Sequence, residues 1–378
     1  MKNPKRNRQG GFTLAELMVG MTIGLIVLSG VTSAYVASSK SGRDSQSSAE
    51  QIENGRQALE FIAYDLRHAG YFGQLTNLPA PGGALPDPCE TANLATMFQA
   101  LAFPVQGYDA PAATPLACLG AADYVAGTDI LVVRRVASEA LAAADVPEDG
   151  AIYLQASPMN GELQIGDDAN AVGTAYKADG AAATIFNRDG VTAAPIHRYL
   201  VHIYFIAPCT MPDGGGDNCT GANDDGGNPI PTLKRLELSA SGGVAQMNIV
   251  PLVSGVENMQ FDFGVDNLPA TVDAITGLPG DGAPDCLDTD PGSGANAGVT
   301  TGCVTANPGA IAEWTNVVGV QAHLLARSYR PDSNYTDGKT YDLGLGLAAL
   351  TPGGAFRRHA YSTAVRFTNL GGRRELPM

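Results

Sequence analysis

The sequence is poor in charge: only 16% of its 378 residues are Asp, Glu, Lys or Arg, while Gly 46 and Pro 24 are abundant. That balance argues against a helical bundle and for short strands joined by many turns. Bases are scarcer than acids, 23 against 38, giving a net charge of -15. Four of the bases, Lys2, Lys5, Arg6 and Arg8, precede Gly11, so losing that segment would leave -19. Such a surface repels phosphate backbones, and no nucleic-acid partner is expected; its plainer meaning is solubility. The chain has no HExxH, GxSxG, Walker loop or GxGxxG, so nothing prepares a metalloprotease, hydrolase or nucleotide site, and neither an enzyme nor a cofactor is expected. The five histidines are His68, His197, His202, His323 and His359; His197 and His202 stand an odd number apart on an expected strand and would face opposite sides. No CxxC occurs and no cysteine pair sits near a histidine at ligand spacing, which leaves zinc and thioredoxin-like chemistry without support. What is present is 44% hydrophobic residues, enough to build the core of one large domain or two ordinary ones.

The hydrophobic residues are unevenly spread. Behind the basic start an apolar run extends from Phe12 to Ala37, interrupted by a single charge, Glu16. A span needs about 20 residues, so this run can cross a membrane. Cations before it and a long cysteine-bearing region after it would place the N-terminus in the cytoplasm and the body outside. A cleaved secretory signal fits poorly, because its apolar region is short, uncharged and closed by an A-x-A-like site. A buried core helix gives no reason for four preceding cations. An uncleaved signal anchor stays open on hydropathy alone.

The junction itself reads Gly10-Gly11-Phe12-Thr13-Leu14-Ala15-Glu16-Leu17-Met18. It resembles the prepilin signal of type IV pilins and type II secretion pseudopilins, in which a peptidase cuts after the glycine and methylates the new N-terminus. The resemblance implies cleavage between Gly11 and Phe12, methylation of Phe12, and Glu16 as the acidic residue that sets a subunit's axial register. Physics gives the offset a reason. A carboxylate in the span costs roughly 2.5 kcal/mol or more and calls for a partner. The cationic amine created on Phe12 would lie four residues away on the same helical face, in this subunit or its neighbour. Gly20 and Gly24 form a GxxxG that would let helices approach closely. Major pilins carry a helix-breaking proline later in the span. Here Ser33 stands at that position and no proline occurs between Phe12 and Leu78, which favours an accessory subunit.

Beyond the apolar run the pattern turns amphipathic. Ile52, Leu59, Ile62, Leu66 and Ala69 recur at helical spacing, with Glu53, Arg56, Glu60 and Arg67 on other faces. One continuous helix of about 57 residues, roughly 85 Å long, is the simplest structure. Its outer half would bury that stripe on a sheet. The expected organisation is a leader over 1–11, a membrane helix over 12–37, an amphipathic helix over 38–72 and a β-rich domain over 73–378. Strands are expected near 129–136, 151–155, 198–207, 233–239, 248–253, 258–265, 317–328 and 361–368. The fold class is therefore α+β and pilin-like: a long N-terminal helix packed on an antiparallel β-rich domain. Three excursions rich in Gly, Pro, Ala and Asp, 74–126, 208–231 and 266–313, interrupt the strands, and excursions of this length are usually functional or stapled. Each holds two cysteines, and an even number in an exported chain suggests disulfides. Six cysteines allow 15 connectivities. Nearest-neighbour pairing, Cys89 with Cys118, Cys209 with Cys219 and Cys286 with Cys303, would close each excursion. Asp281, Asp285, Asp288 and Asp290 crowd the third one; their spacing fits no EF-hand and no terminal Glu follows, so solvated loop carboxylates are the first reading and calcium the alternative.

Four segments, 55–73, 255–266, 317–328 and 357–369, also resemble PilW-like minor pilins. That resemblance implies an inner-membrane subunit taking part in pilus assembly or initiation. Its implied partners are prepilin peptidase, other minor pilins, the major pilin and the inner-membrane assembly platform, with a final place in the pilus or at the cell surface. A type II secretion minor pseudopilin, or a signal-anchored periplasmic binding domain, would share the leader without sharing that role.

Overall fold

The structure, a computed structural model, describes residues 11, 13–167, 178, 184–268, 280–292, 311–345 and 348–374. It divides into two units, residues 1–50 and 51–378. The helix α1 (Leu14–His68) begins in the first and ends in the second. From Leu14 to Ala37 it carries no proline and a single charge, Glu16, which suits uninterrupted helix. It stops where Gly70 takes a left-handed φ of 70°, a conformation that costs glycine little, with Arg67 and His68 in the last turn opposite the dipole's negative end.

In the larger unit a seven-stranded sheet has the order β1 (Val105–Tyr108), β2 (Ile130–Ala140), β5 (Ile196–Ala207), β3 (Ile152–Ala156), β4 (Gly161–Ile165). The long strand β5 also pairs with β6 (Thr232–Ser241), which pairs with β7 (Val244–Ser254). A second sheet of four strands runs β11 (Arg358–Arg366), β10 (Val317–Arg327), β8 (Val256–Val265), β9 (Cys286–Asp288). Every pairing is antiparallel, with Leu131 opposite Tyr204 in the first sheet and Val320 opposite Phe263 in the second. All eight expected strands are present. The sequence reading missed β1, β4 and β9, which are only 4, 5 and 3 residues long and carry too little pattern to register.

Both faces of the seven-stranded sheet are covered. Ala58, Ile62 and Leu66 of α1, with Ala69 just after it, pack with Leu131, Val133, Tyr204 and Ile206 on one face and with Met259, Phe261, Val320 and Leu324 of the second sheet. The alternate residues Ile130, Val132, Ile203 and Phe205 face a second core, closed by Met97 of α2 (Leu94–Gln99) with Leu101, Leu116 and Leu119. Strands covered on both sides read as unbroken apolar runs, as ILVV at 130–133 does. Each fully buried Ile or Leu contributes about 1.5–3 kcal/mol relative to exposure.

The buried stripe of α1 differs from the expected one. Ile52 is 57% exposed, whereas Gln51, Gly55 and Asp65 are buried. Gly55 is buried because the helix comes so close to β11 that an added Cβ would lie 2.3 Å from the Tyr361 ring. Gln51 is held by its amide, which donates to the carbonyl of Arg357. Asp65 is buried because four groups of the sheet meet its carboxylate. Arg135 approaches Oδ1 through Nε and Nη2, each at 3.0 Å; His202 Nδ1 lies 2.5 Å and Arg235 Nη1 3.4 Å from Oδ2, to which the Tyr204 hydroxyl also donates. Burial alone would push the Asp65 carboxyl up, but His202, Tyr204 and Arg135 outweigh it and hold the group well below the usual carboxylate range.

Candidate functional site

The N-terminal junction is built by a local rule. Thr13 is the residue before the first helical one, and Glu16 is the third helical residue. Glu16 N–H donates to Thr13 Oγ1 at 3.2 Å, while Glu16 Oε2 accepts from Thr13 N–H at 2.9 Å and from Thr13 Oγ1 at 3.0 Å. This is a reciprocal capping box, which satisfies two backbone donors that a helix start leaves open. Glu16 also sits where the helix dipole favours negative charge. The signal, Thr-x-x-Glu before an apolar run, was present in the sequence but overshadowed by the register role given to Glu16.

Around this cap the chain is open. A Cβ built on Gly11 would meet nothing within 4 Å, and the same holds for Gly20 and Gly24. The two glycines therefore leave a free flank on the helix. Phe12, the residue expected to become the methylated N-terminus, lies outside the described residues, as does the basic leader before Gly11. From Leu14 to Val36 every large hydrophobic side chain is exposed, Leu14 by 78% and Ile26 by 72%, and the helix is long and apolar enough to cross a membrane. Three of its hydroxyls turn inward. Thr22 Oγ1 donates to the carbonyls of Met18 and Val19, Thr32 Oγ1 to those of Leu28 and Ser29, and Ser33 Oγ to Ser29 O at 2.8 Å and Gly30 O at 3.0 Å. Hydroxyls bonded within their own helix need no water, the condition a hydrocarbon setting imposes. Ser33 thus keeps the helix continuous where a proline would break it.

The other candidate residues lie elsewhere. Cys89–Cys118 and Cys209–Cys219 are disulfides, with Cα–Cα distances of 5.5 and 5.8 Å. Cys286 is disulfide-bonded as well, and its expected partner Cys303 lies outside the described residues. Cys209 and Cys219 come together with Asp224, but their sulfurs are committed to each other and leave no thiolate for a metal. Asp224 instead accepts from the backbone N–H groups of Asp213, Thr220 and Gly221, and Asp225 from those of Thr210, Met211 and Ile230. These two carboxylates are the hubs of the 208–231 excursion.

In the third excursion Asp281 accepts from Ala283 N–H, Asp285 from Asn267 and Leu268 N–H, and Asp288 from Asp290 N–H. Burial, with Asp109 nearby, pushes the Asp288 and Asp290 carboxyls up. Among the described residues these four aspartates do not gather with one another at metal-ligating distance.

Two family models match the chain. The prokaryotic N-terminal methylation motif covers residues 6–32, and type IV pilus-assembly protein W covers residues 220–369. The first spans the capping box and most of the apolar helix. The second spans β6 to β11 and includes three of the four PilW-like segments, leaving out 55–73. No curated protein and no solved structure shows a significant match. The methylation motif on a capped apolar helix and the PilW match on the sheets that the same helix enters support a PilW-like, type IV pilus-related pilin.

Proposed function

We propose that this pilin is a minor subunit of a type IV pilus, inserted in the inner membrane by the first half of α1 and active in assembly or initiation. The observation that carries the reading is the uncovered apolar surface from Leu14 to Val36, where Thr22, Thr32 and Ser33 bond to their own helix and whose mouth bears one carboxylate. A surface of that extent requires lipid before assembly and other helices after it. Prepilin peptidase removes residues 1–11 and methylates Phe12, and Glu16 then meets a cationic Phe12 amine, its own or that of the next subunit. Gly20 and Gly24 face the neighbouring helices. The partners are the other minor pilins, the major pilin and the inner-membrane assembly platform, and the body lies in the periplasm before export to the filament.

N-terminal mass spectrometry of the membrane fraction tests the first step, with a methylated Phe12 expected. An intact leader, or a start beyond Ala34, overturns the reading. A Cβ at Gly11 meets nothing within 4 Å among the described residues, so loss of cleavage in Gly11→Val reports on the peptidase site. Glu16→Gln separates insertion from assembly: membrane levels stay equal or rise, because a costly charge is gone, while incorporation into sheared filaments falls. Unchanged incorporation removes Glu16 from the register role, and a secretion defect with normal pili assigns the chain to a type II system.

A further inference from the structure

The four-stranded sheet ends in an open backbone edge. β11 is its terminal strand. Ser328 N–H donates to Arg357 O at 2.9 Å and Phe367 N–H to Val318 O at 2.8 Å, and the register between them is unbroken, with Ser362 opposite His323. Bonding alternates along an antiparallel ladder. The odd-numbered residues of β11 therefore bond to β10, while Ala360, Ser362 and Ala364 turn their N–H and C=O groups outward. Among the described residues no hydrogen bond reaches those groups.

The other long rim strand is protected. β7 contains Pro251 beside a register shift between Leu233 and Lys234, both devices that stop edge-to-edge pairing. β11 has neither over its nine residues. Beside its outer edge lies a groove of 420 Å³, bounded by residues 361–363 and by one row of α1. Leu59 and Ala63 give that wall an apolar centre, Arg56 and Arg67 flank it, and Glu60 leaves it one positive charge in excess. Among the described residues neither arginine has an acidic partner.

We propose that β11 accepts an extended, acidic segment of a partner polypeptide as an added strand, its backbone on the outward groups of Ala360, Ser362 and Ala364 and its carboxylates on Arg56 and Arg67. Main-chain bonds supply affinity in strand addition and the pockets beside the edge supply selectivity. A second copy is disfavoured by charge. Its β11, reading RHAYSTAVR, would bring no carboxylate to Arg56 and Arg67. An acidic strand meets those two arginines with attraction. The surface is formed by the second half of α1 and by β11, so it is independent of Gly11 cleavage and of Glu16.

The test uses the full-length chain in detergent and a fluorescent nine-residue peptide with Glu, Val, Val and Glu at its four inward positions and Thr elsewhere. Anisotropy should show saturable binding. Ser362→Pro removes one outward N–H without touching a bond to β10 and should weaken binding at least tenfold, whereas Ser362→Ala should leave it unchanged. Arg56→Glu combined with Arg67→Glu should weaken it by a similar factor. Should Ser362→Pro fail to fold, hydrogen exchange on the unaltered chain decides, because the peptide must slow exchange of the Ala360, Ser362 and Ala364 amides. Binding equal in Ser362→Pro, equal affinity for a peptide N-methylated along its bonding edge, or unaltered exchange at the three amides overturns the proposal. So does a dimer of this chain, seen by sedimentation, that Ser362→Pro dissolves. Glu16→Gln should bind the peptide normally, so a failure of the assembly reading and a failure of this one are distinguishable.

Discussion

Replacing Asp65 by Asn tests what ties α1 to the sheet. The substitution keeps shape and removes one charge from a carboxylate side chain that is 1% exposed. Arg135, at 12% exposure, then loses its counterion, and His202, at 9%, loses its acceptor at Oδ2; Arg235 keeps Glu237, whose Oε1 also accepts from its guanidinium. Removing one member of a buried ion pair costs about 3–5 kcal/mol, because the cation left behind is desolvated and unpaired. The retained Arg235–Glu237 contact and the partial exposure of both arginines put Asp65→Asn at the lower end, about 3 kcal/mol. At about 2 °C per kcal/mol for a large domain, the melting temperature of the detergent-solubilised chain, followed by circular dichroism, should fall by about 6 °C.

The pH dependence has a definite sign. The folded carboxyl titrates below its unfolded value of about 3.9, so its stabilisation is complete above that pH and is lost as pH falls through the folded value. The gap between wild type and variant should therefore be constant from pH 5 to 7 and close below about pH 4. A loss under about 1 kcal/mol at pH 7, or a gap that widens on acidification, would refute the assignment of Asp65 as the charged anchor.

Three further outcomes are expected. Gly55→Ala should destabilise the chain despite the better helix propensity of Ala, since the new methyl would sit 2.3 Å from the Tyr361 ring; a gain in melting temperature would show that the ring moves freely. Replacing both cysteines of one bridge by Ala should cost about 3 kcal/mol for Cys209–Cys219, separated by 10 residues, and somewhat more for Cys89–Cys118, separated by 29, as unfolding by urea under non-reducing conditions would report. Thr13→Val should remove about 1 kcal/mol of capping and speed amide exchange over residues 14–17 in detergent while leaving the rest of α1 protected, an effect absent if the cap does not form.

The parts of the fold legible in the sequence were those written by periodicity or by a local code. The apolar run, the eight longer strands and two of the cysteine pairs follow from hydrophobic alternation and proximity along the chain. Thr13 and Glu16 were equally legible, since a capping box spans four residues. The stripe of α1 was not, because three of its buried positions, Gln51, Gly55 and Asp65, break the apolar rule for reasons that lie outside the helix. Gly55 is dictated by a ring on β11, 306 residues later in the chain, and Asp65 by groups on β2, β5 and β6. A charge inside an apolar row looks like a solvent-facing residue until its partners are placed. Ile52 shows the converse error: it has the right spacing and the right chemistry, yet it is left exposed.

The capping box also resolves a difficulty in the proposed life of Glu16. A carboxylate in a span is costly, and before cleavage the chain offers it no amine at residue 12. Here its oxygen instead accepts from the Thr13 N–H and hydroxyl at the positive end of the helix dipole, so the uncleaved chain can carry Glu16 into the membrane with its charge met by donors of its own first turn. The proposed cleavage would then turn the amide nitrogen of Phe12, the residue next to Thr13, into a cation. A full cation attracts a carboxylate more strongly than the neutral donors of the cap do. The ion pair therefore outcompetes the cap. On the proposed function, Glu16 is held in place by Thr13 until an amine of this subunit or the next displaces it, and the same carboxylate would serve first the helix start and then the filament register.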